Sequence, residues 1–199
     1  EAVVLTVDLP VLGYREREVS ASSHFPIGTE IGNFPDMTFD SYDVSLPGTE
    51  HDNSLTWDFL ARLRELSDLP LIIKGILTAE DAALAVEHGA SGVVVSNHGG
   101  RQLDRAPATI DVLEEVVDAV AGRAEVYLDG GVRRGADVLI ALALGASGVL
   151  IGRPFLWALA AAGEAGVTKA FELLTSEITT DMALLGTPRV ADITRAHVQ

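Results

Sequence analysis

The sequence has no cysteine, few basic residues and no long apolar run, and each lack closes off a class of function. Without cysteine there is no disulfide, no thiolate nucleophile and no thiolate-held metal. A reducing compartment suits such a chain, and a cytoplasmic location is the expectation. Only 14 Lys and Arg stand against 29 Asp and Glu, a formal charge of −15. That leaves no basic stripe to neutralise phosphates, so nucleic acid is not an expected partner. An acidic substrate would be repelled at long range, so a site for one must carry its own cations. The longest apolar run, Val138 to Ile151, is fourteen residues with glycines and a serine inside it. A bilayer span needs roughly 20, so no membrane segment is expected, and no ligand pattern suggests a metal.

What is present reads as an ordinary globular domain of 199 residues, 48% hydrophobic and 22% charged. The chain opens on Glu1-Ala2-Val3-Val4 without an initiator Met or a signal-peptide pattern, as if inside a strand. Strands are expected at Val3–Val7, Leu71–Lys74, Gly92–Ser96, Val126–Leu128 and Gly148–Ile151. Amphipathic helices are expected near Thr56–Leu66, Ala79–Glu87, Thr109–Val120, Gly135–Leu144 and Phe155–Leu185. Continuous apolar strands alternating with helices predict a parallel sheet. Gly89, Gly122, Gly145 and Gly186 stand where helices would stop, and Thr78 with Asp81 resembles a capping box. Gly89-Ala90-Ser91-Gly92-Val93 returns as Gly145-Ala146-Ser147-Gly148-Val149, 56 residues on. Such an echo suits a barrel of β-α units, though a doubly wound sheet allows it too. Residues 20–55 carry no period and are expected to form an irregular loop or lid, and residues 187–199 a C-terminal tail.

Polar residues gather at the strand ends, where β-α folds keep their ligands. The first strand ends in Thr6-Val7-Asp8 with Arg15 and Arg17 beyond, and the second in Lys74-Gly75. The third ends Ser96-Asn97-His98-Gly99-Gly100-Arg101, the fourth Asp129-Gly130-Gly131-Val132-Arg133-Arg134, and the fifth Gly152-Arg153. Taken singly, each has a plain structural reading. His98 could be a hydrogen-bonded structural histidine, Lys74 could snorkel at the sheet edge, and Asp8 could cap the turn before Pro10. Asp104, His24, His51, His88 and His197 are read as structural. Five polar endings on one rim favour a site. The glycines of DGGVRRG would admit a ligand close to the backbone, with the helix near Gly135 offering free N–H groups to a phosphate. Gly152-Arg153 would supply a second set of donors.

The run Ser96-Asn97-His98-Gly99-Gly100-Arg101-Gln102 resembles the active-site signature of the FMN-dependent α-hydroxy-acid oxidases and dehydrogenases. This family includes glycolate oxidase, lactate oxidase and mandelate dehydrogenase. LTVDLPVLGYRERE, LPLIIKGILTAEDA, YLDGGVRRGADVLIALALGA and GVLIGRPFLWALA extend the similarity to most of the chain outside residues 20–55 and the tail. The resemblance implies a TIM (β/α)8 barrel of which this chain supplies strands four to eight with their helices, the C-terminal part of one FMN-binding domain. The other half, and the substrate contacts it carries, would come from elsewhere in the same protein or from another chain, or two copies would close on each other. Half a barrel leaves unpaired parallel edges and an open apolar interior, an aggregation hazard until closed. A tetramer-like homo-oligomer is also implied.

The resemblance further implies roles. FMN would be the cofactor and a small 2-hydroxy acid the substrate, oxidised to the 2-oxo acid. His98 would be the base, taking either the α-proton or the hydroxyl proton, with Asp8 holding its imidazole. Arg15 and Arg101 would clamp the carboxylate, which reconciles an acidic protein with an acidic substrate. Lys74 would sit by the flavin N1 and C2 carbonyl, and Thr6 and Ser96 would hydrogen-bond the isoalloxazine. Asp129, Gly130, Gly131, Val132, Arg133, Gly152 and Arg153 would hold the ribityl chain and phosphate, with Arg134 solvated at the helix terminus. Membrane-bound mandelate dehydrogenases carry an anchor where this chain has residues 20–55. Here that stretch and its approach are acidic (Glu16, Glu18, Glu30, Asp36, Asp40, Asp43, Glu50 and Asp52), which favours a soluble enzyme with oxygen as acceptor. Two other readings stay open: an FMN barrel of the isopentenyl-diphosphate isomerase type, and a half-barrel that binds without catalysing.

Overall fold

The computed structural model describes residues 1–16, 29–31, 34–39 and 53–198. Its centre is a parallel five-stranded sheet. In chain order the elements are β1 (Val3–Thr6), β2 (Thr29–Ile31), β3 (Phe34–Phe39), α1 (Asp58–Leu66), β4 (Leu71–Ile76) and α2 (Ala79–Glu87). They continue with β5 (Gly92–Val95), α3 (Thr109–Val120), β6 (Glu125–Asp129), α4 (Gly135–Ala143), β7 (Gly148–Leu150) and α5 (Arg153–Leu185). Short 3-10 turns follow at His98–Gly100, Val190–Asp192 and Arg195–His197.

The strands lie side by side in the order β1-β4-β5-β6-β7, each parallel to the next. A doubly wound sheet reverses its strand order at a switch point; a barrel wall never does. This order therefore decides for an open part of a (β/α) barrel. The echoed glycines fall on its alternate strands β5 and β7. Among the described residues β1 and β7 have no outer partner, and β2 and β3, between β1 and α1 in the chain, pair antiparallel with each other. The expected irregular loop thus contains regular structure; residues 20–28, 32–33 and 40–52, with His24 and His51, and also Arg17, lie outside the described residues.

Alternation sorts each strand into two faces. One face packs under the helices: Leu71, Ile73, Val93, Val95, Val126 and Leu128 are buried with Leu113, Val116 and Val120 of α3. Leu113, Val116 and Val120 recur at helical spacing and are each fully covered, worth about 1.5–3 kcal/mol per side chain. The other face carries Val4, Thr6, Ile72, Lys74, Val94, Tyr127 and Leu150, aligned by the registers. The Tyr127 ring lies over glycines of both neighbouring strands, β5 and β7. A Cβ on Gly92 or Gly148 would stand 3.5 Å from the ring. Val4 and Leu150 on this inner face are 51% and 41% exposed, so the barrel interior is open.

Three features have physical reasons that the sequence pattern did not show. β4 runs two residues past Lys74, because Gly75 adopts φ +114 and forms a bulge inside the strand instead of ending it. The last helix begins at Arg153 and is broken at Ala162 and Gly163, whose backbones leave the helical region, so the expected single helix is two. The tail is not loose: Ile193 and Val198 pack on Leu139, Leu142 and Ala143 of α4, and Arg195 pairs with Glu114 of α3. The glycine stops hold, with Gly89, Gly122, Gly145 and Gly186 all at positive φ, and Thr78 accepts the Asp81 N–H. No described helix is long and apolar enough to cross a membrane.

Candidate active site

The carboxyl ends of the strands converge as expected, and the turn after β5 is the centre of the site. Ser96, fully buried, receives the His98 N–H at 3.1 Å and the Lys74 Nζ at 2.7 Å on one hydroxyl oxygen. Asn97 caps the turn by accepting from the Gly100 N–H at 3.1 Å and donating to the Pro107 carbonyl at 3.0 Å. These bonds hold His98 at φ +56, a left-handed conformation that costs a non-glycine residue of order 1–3 kcal/mol. Its imidazole is thereby aimed at Asp8: Nδ1 lies 3.0 Å from Oδ1. Asp8 is thus no mere turn cap. Because a carboxylate accepts, Nδ1 is the donor of this pair, and in the neutral imidazole that leaves the lone pair on Nε2. Gly75 makes room for this pair, since a Cβ there would stand 2.7 Å from the Asp8 Cβ.

A cleft of about 440 Å3 opens beside His98. Lys74, His98, Gly99 and Arg101 form one wall; Asp129, Gly130, Gly131, Val132 and Arg133 form the second; Gly152 and Arg153 close the third. Lys74 Nζ is held 2.9 Å from Asp129 Oδ2, both side chains largely buried. Val132 turns its side chain into the core, leaving only its backbone for a ligand. The Arg133 guanidinium lies 4.8 Å from the Trp157 ring centre, and Arg153 donates to the Gly99 carbonyl at 3.0 Å. Thr6 stands beside Lys74 on the inner face. Arg15 lies outside the cleft lining and donates to the Arg101 carbonyl at 3.4 Å, so the two arginines are joined through a backbone.

One expectation is overturned. The N-terminus of α4 is not free for phosphate: Asp137 accepts from the Arg133 and Arg134 N–H groups, and Glu177 from the Gly135 N–H at 2.7 Å. Arg134 stands exposed at the helix terminus as expected, and there it pairs with the same Glu177 at 2.7 Å. The Gly135 N–H, with Arg134, holds the Glu177 carboxyl below the usual range. The N-terminus of α5, by contrast, has no side-chain cap.

Would FMN fit? In the cleft, Asp129 Oδ1 is a buried acceptor without a partner among the described residues, and a buried orphan of this kind calls for a donor the protein does not supply. Gly131 and Gly152 have open space where a Cβ would be, next to the uncapped α5 terminus. Acceptors for hydroxyls, an N–H-lined anion site and a buried cation at Lys74 suit a polyol phosphate with an electron-accepting ring, so the residues fit the group.

Sequence reasoning missed Gln102, Thr109 and Glu177. Thr109 fixes the DGG turn by donating to the Asp129 carbonyl at 2.6 Å, yet in sequence it only opens a helix. Gln102 was part of the signature without a role. Of the residues read as structural, His88 stacks on Trp57, His197 bonds within its own turn, and Asp104 is almost wholly exposed.

Comparison with known proteins agrees with this geometry. The model of the FMN-dependent dehydrogenase family matches residues 1–199, including the hairpin region and the tail that the motif similarity had left out. Glycolate oxidase 3 of Arabidopsis thaliana is 50% identical over 206 residues, covering all of this chain and 56% of that protein. Glycolate oxidase of Spinacia oleracea is 49% identical with the same coverage. A solved mandelate oxidase variant with (S)-mandelic acid superposes with a TM-score of 0.84 at 45% identity, covering 98% of this chain and 54% of that one. The chain thus spans little more than half the length of the relatives it matches. A match over every residue, relatives at half identity and a shared arrangement of strands agree: the chain belongs to the FMN-dependent dehydrogenase family.

Proposed function

We propose that this chain carries the catalytic rim of an FMN-dependent oxidase that converts a small 2-hydroxy acid into the 2-oxo acid. The observation that carries the reading is the Asp8–His98 pair at 3.0 Å, with His98 on the wall of the cleft that Lys74 and Arg101 also line. When bound, FMN takes up the two electrons released in that oxidation, with oxygen as the expected final acceptor.

The protein's part is to bind, orient and move a proton. His98 receives the substrate proton at Nε2, and the Asp8 carboxylate stabilises the imidazolium that results. Arg101, with Arg15 behind it, supplies the local positive charge for the carboxylate that the −15 chain otherwise repels. Lys74 would offer its charge to the bound cofactor ring, and Ser96 and Thr6 would offer hydroxyls to it. Asp129, Gly130, Gly131, Val132, Arg133, Gly152 and Arg153 hold the polyol phosphate. The phosphate would bind at the α5 terminus, since carboxylates occupy the α4 terminus.

The edges of β1 and β7, unpaired among the described residues, the exposed Val4 and Leu150, and the greater length of the relatives support closure of the barrel by further polypeptide. Assembly of the closed barrels into a tetramer-like homo-oligomer is part of the same reading; sedimentation of the FMN-loaded protein tests both. Fractionation of cells tests the cytoplasmic location, one relative being named as peroxisomal.

Anaerobic mixing of the FMN-loaded protein with glycolate, lactate or mandelate should bleach the visible absorbance of the flavin. Absence of bleaching by every 2-hydroxy acid would reject this reading in favour of an isomerase-type barrel or a binding module.

A further inference from the structure

We infer that Gln102 is a positioning residue for the reaction, stapling the loop after β1 to the loop after β5 so that Asp8 and Arg15 face His98 and Arg101. The inference rests on the function proposed above.

The Gln102 amide uses its whole hydrogen-bonding capacity on one neighbour. Its Nε2 donates to the Asp8 carbonyl at 3.2 Å and to the Val11 carbonyl at 2.9 Å. Its Oε1 accepts from the Gly13 N–H at 3.3 Å and from the Arg15 guanidinium at 3.2 Å. Two donors and two acceptor positions are all that a carboxamide offers. The orientation is also unique. Turning the amide over would set its NH2 against an N–H and a guanidinium, and its oxygen against two carbonyls.

Backbone geometry adapts to this staple. A Cβ on Gly13 would stand 2.4 Å from the Arg101 carbonyl and 2.7 Å from the Gln102 Cα, so only glycine lets the two loops touch. The loop after β1 has no helix or ladder of its own between Thr6 and Arg15. Its register against the β5 turn is set by the Gln102 bonds, by Arg15 reaching the Arg101 carbonyl, and by the Asp8–His98 pair. Four hydrogen bonds from one side chain thus hold the backbone of the residue that orients the base, and also one of the two arginines.

Every group so held lies on the substrate side. None of the four bonds reaches Lys74, Asp129 or the glycine loops that would hold FMN. The staple should therefore control substrate binding and reaction while leaving cofactor affinity alone.

The test uses the FMN-loaded protein and two variants. Gln102→Glu keeps the shape and both acceptor bonds but turns an oxygen toward two carbonyls; Gln102→Leu removes all four bonds. FMN affinity, unfolding temperature, oxalate affinity (a carboxylate probe with no α-hydrogen) and the rate of anaerobic flavin bleaching are measured for each. We expect FMN affinity within about twofold of the parent, oxalate affinity lowered at least tenfold and bleaching slowed at least tenfold, orders of magnitude set by the sensitivity of reaction to small misplacements. A purely structural residue would lower the unfolding temperature and FMN affinity but leave the loaded fraction reacting normally. If Gln102→Leu does not fold, the isosteric Gln102→Glu decides. Parental oxalate affinity and bleaching in folded, loaded Gln102→Glu would overturn the inference alone. Failure of the parent protein to bleach would overturn the functional reading and this inference together.

Discussion

Replacing Gly75 by alanine separates backbone strain from damage to the Asp8–His98 pair. Gly75 lies in a bulge of β4 at φ +114, where an added Cβ would meet the Asp8 Cβ at 2.7 Å, Cγ at 2.8 Å and N at 2.8 Å. Carbon atoms rest about 3.5–4.0 Å apart, so Asp8 must retreat by about 1 Å, and its carboxylate leaves His98. A displacement of that size costs about 100-fold in rate, equivalent to about 2.7 kcal/mol of barrier. The unfavourable backbone adds about 1–3 kcal/mol of destabilisation, which lowers the unfolding temperature by roughly 2–12 °C in a domain of this size. The control is Gly122→Ala, also at positive φ (+70) but with nothing within 4 Å of the new Cβ. That change should cost about 1–2 kcal/mol of stability and leave flavin reduction untouched. Thermal unfolding and anaerobic stopped-flow bleaching of both variants give the comparison. Equal reduction rates in Gly75→Ala and Gly122→Ala would refute the claim that Gly75 exists to admit Asp8.

Other outcomes are accessible to the same methods. His98→Ala should retain FMN and lose bleaching by 2-hydroxy acids; an unchanged rate would reject His98 as the base. Arg101→Met should raise the apparent dissociation constant for the hydroxy acid by about tenfold or more, as expected for losing a charge-assisted bond, with the flavin spectrum preserved. Glu177→Gln should destabilise the protein at neutral pH. The Glu177 pKa lies below its ordinary 4.5 in the folded state, so its contribution is present above that value and is lost as pH falls through the folded pKa. The stability gap between parent and variant should therefore close in acid, which unfolding curves at several pH values will show. Leu113→Ala, emptying a fully buried position under the sheet, should cost about 2–5 kcal/mol without altering the cleft.

Much of the architecture was legible because its causes are local. Apolar β-branched runs mark β4, β5 and β7, helical spacing marks α2 and α3 to the residue, and glycines mark the helix stops. The signature around His98 and the polar strand endings were visible for the same reason: in a β-α fold each strand delivers its last residues to one rim. Where the local signal misled, a long-range contact had taken over. Gly75 reads as a strand terminus but is a bulge held between β1 and β5.

The sequence by itself determined the parallel β-α pattern, the family and the set of residues offered at the rim. Tertiary structure alone decided how their bonding capacity is spent. It filled the α4 terminus with a carboxylate 42 residues away and left the α5 terminus uncapped. It committed Gln102 to a backbone carbonyl 94 positions earlier. The physical reason is that a backbone donor or an amide is satisfied by whichever group folding brings within about 3 Å, and neither period nor motif records that distance.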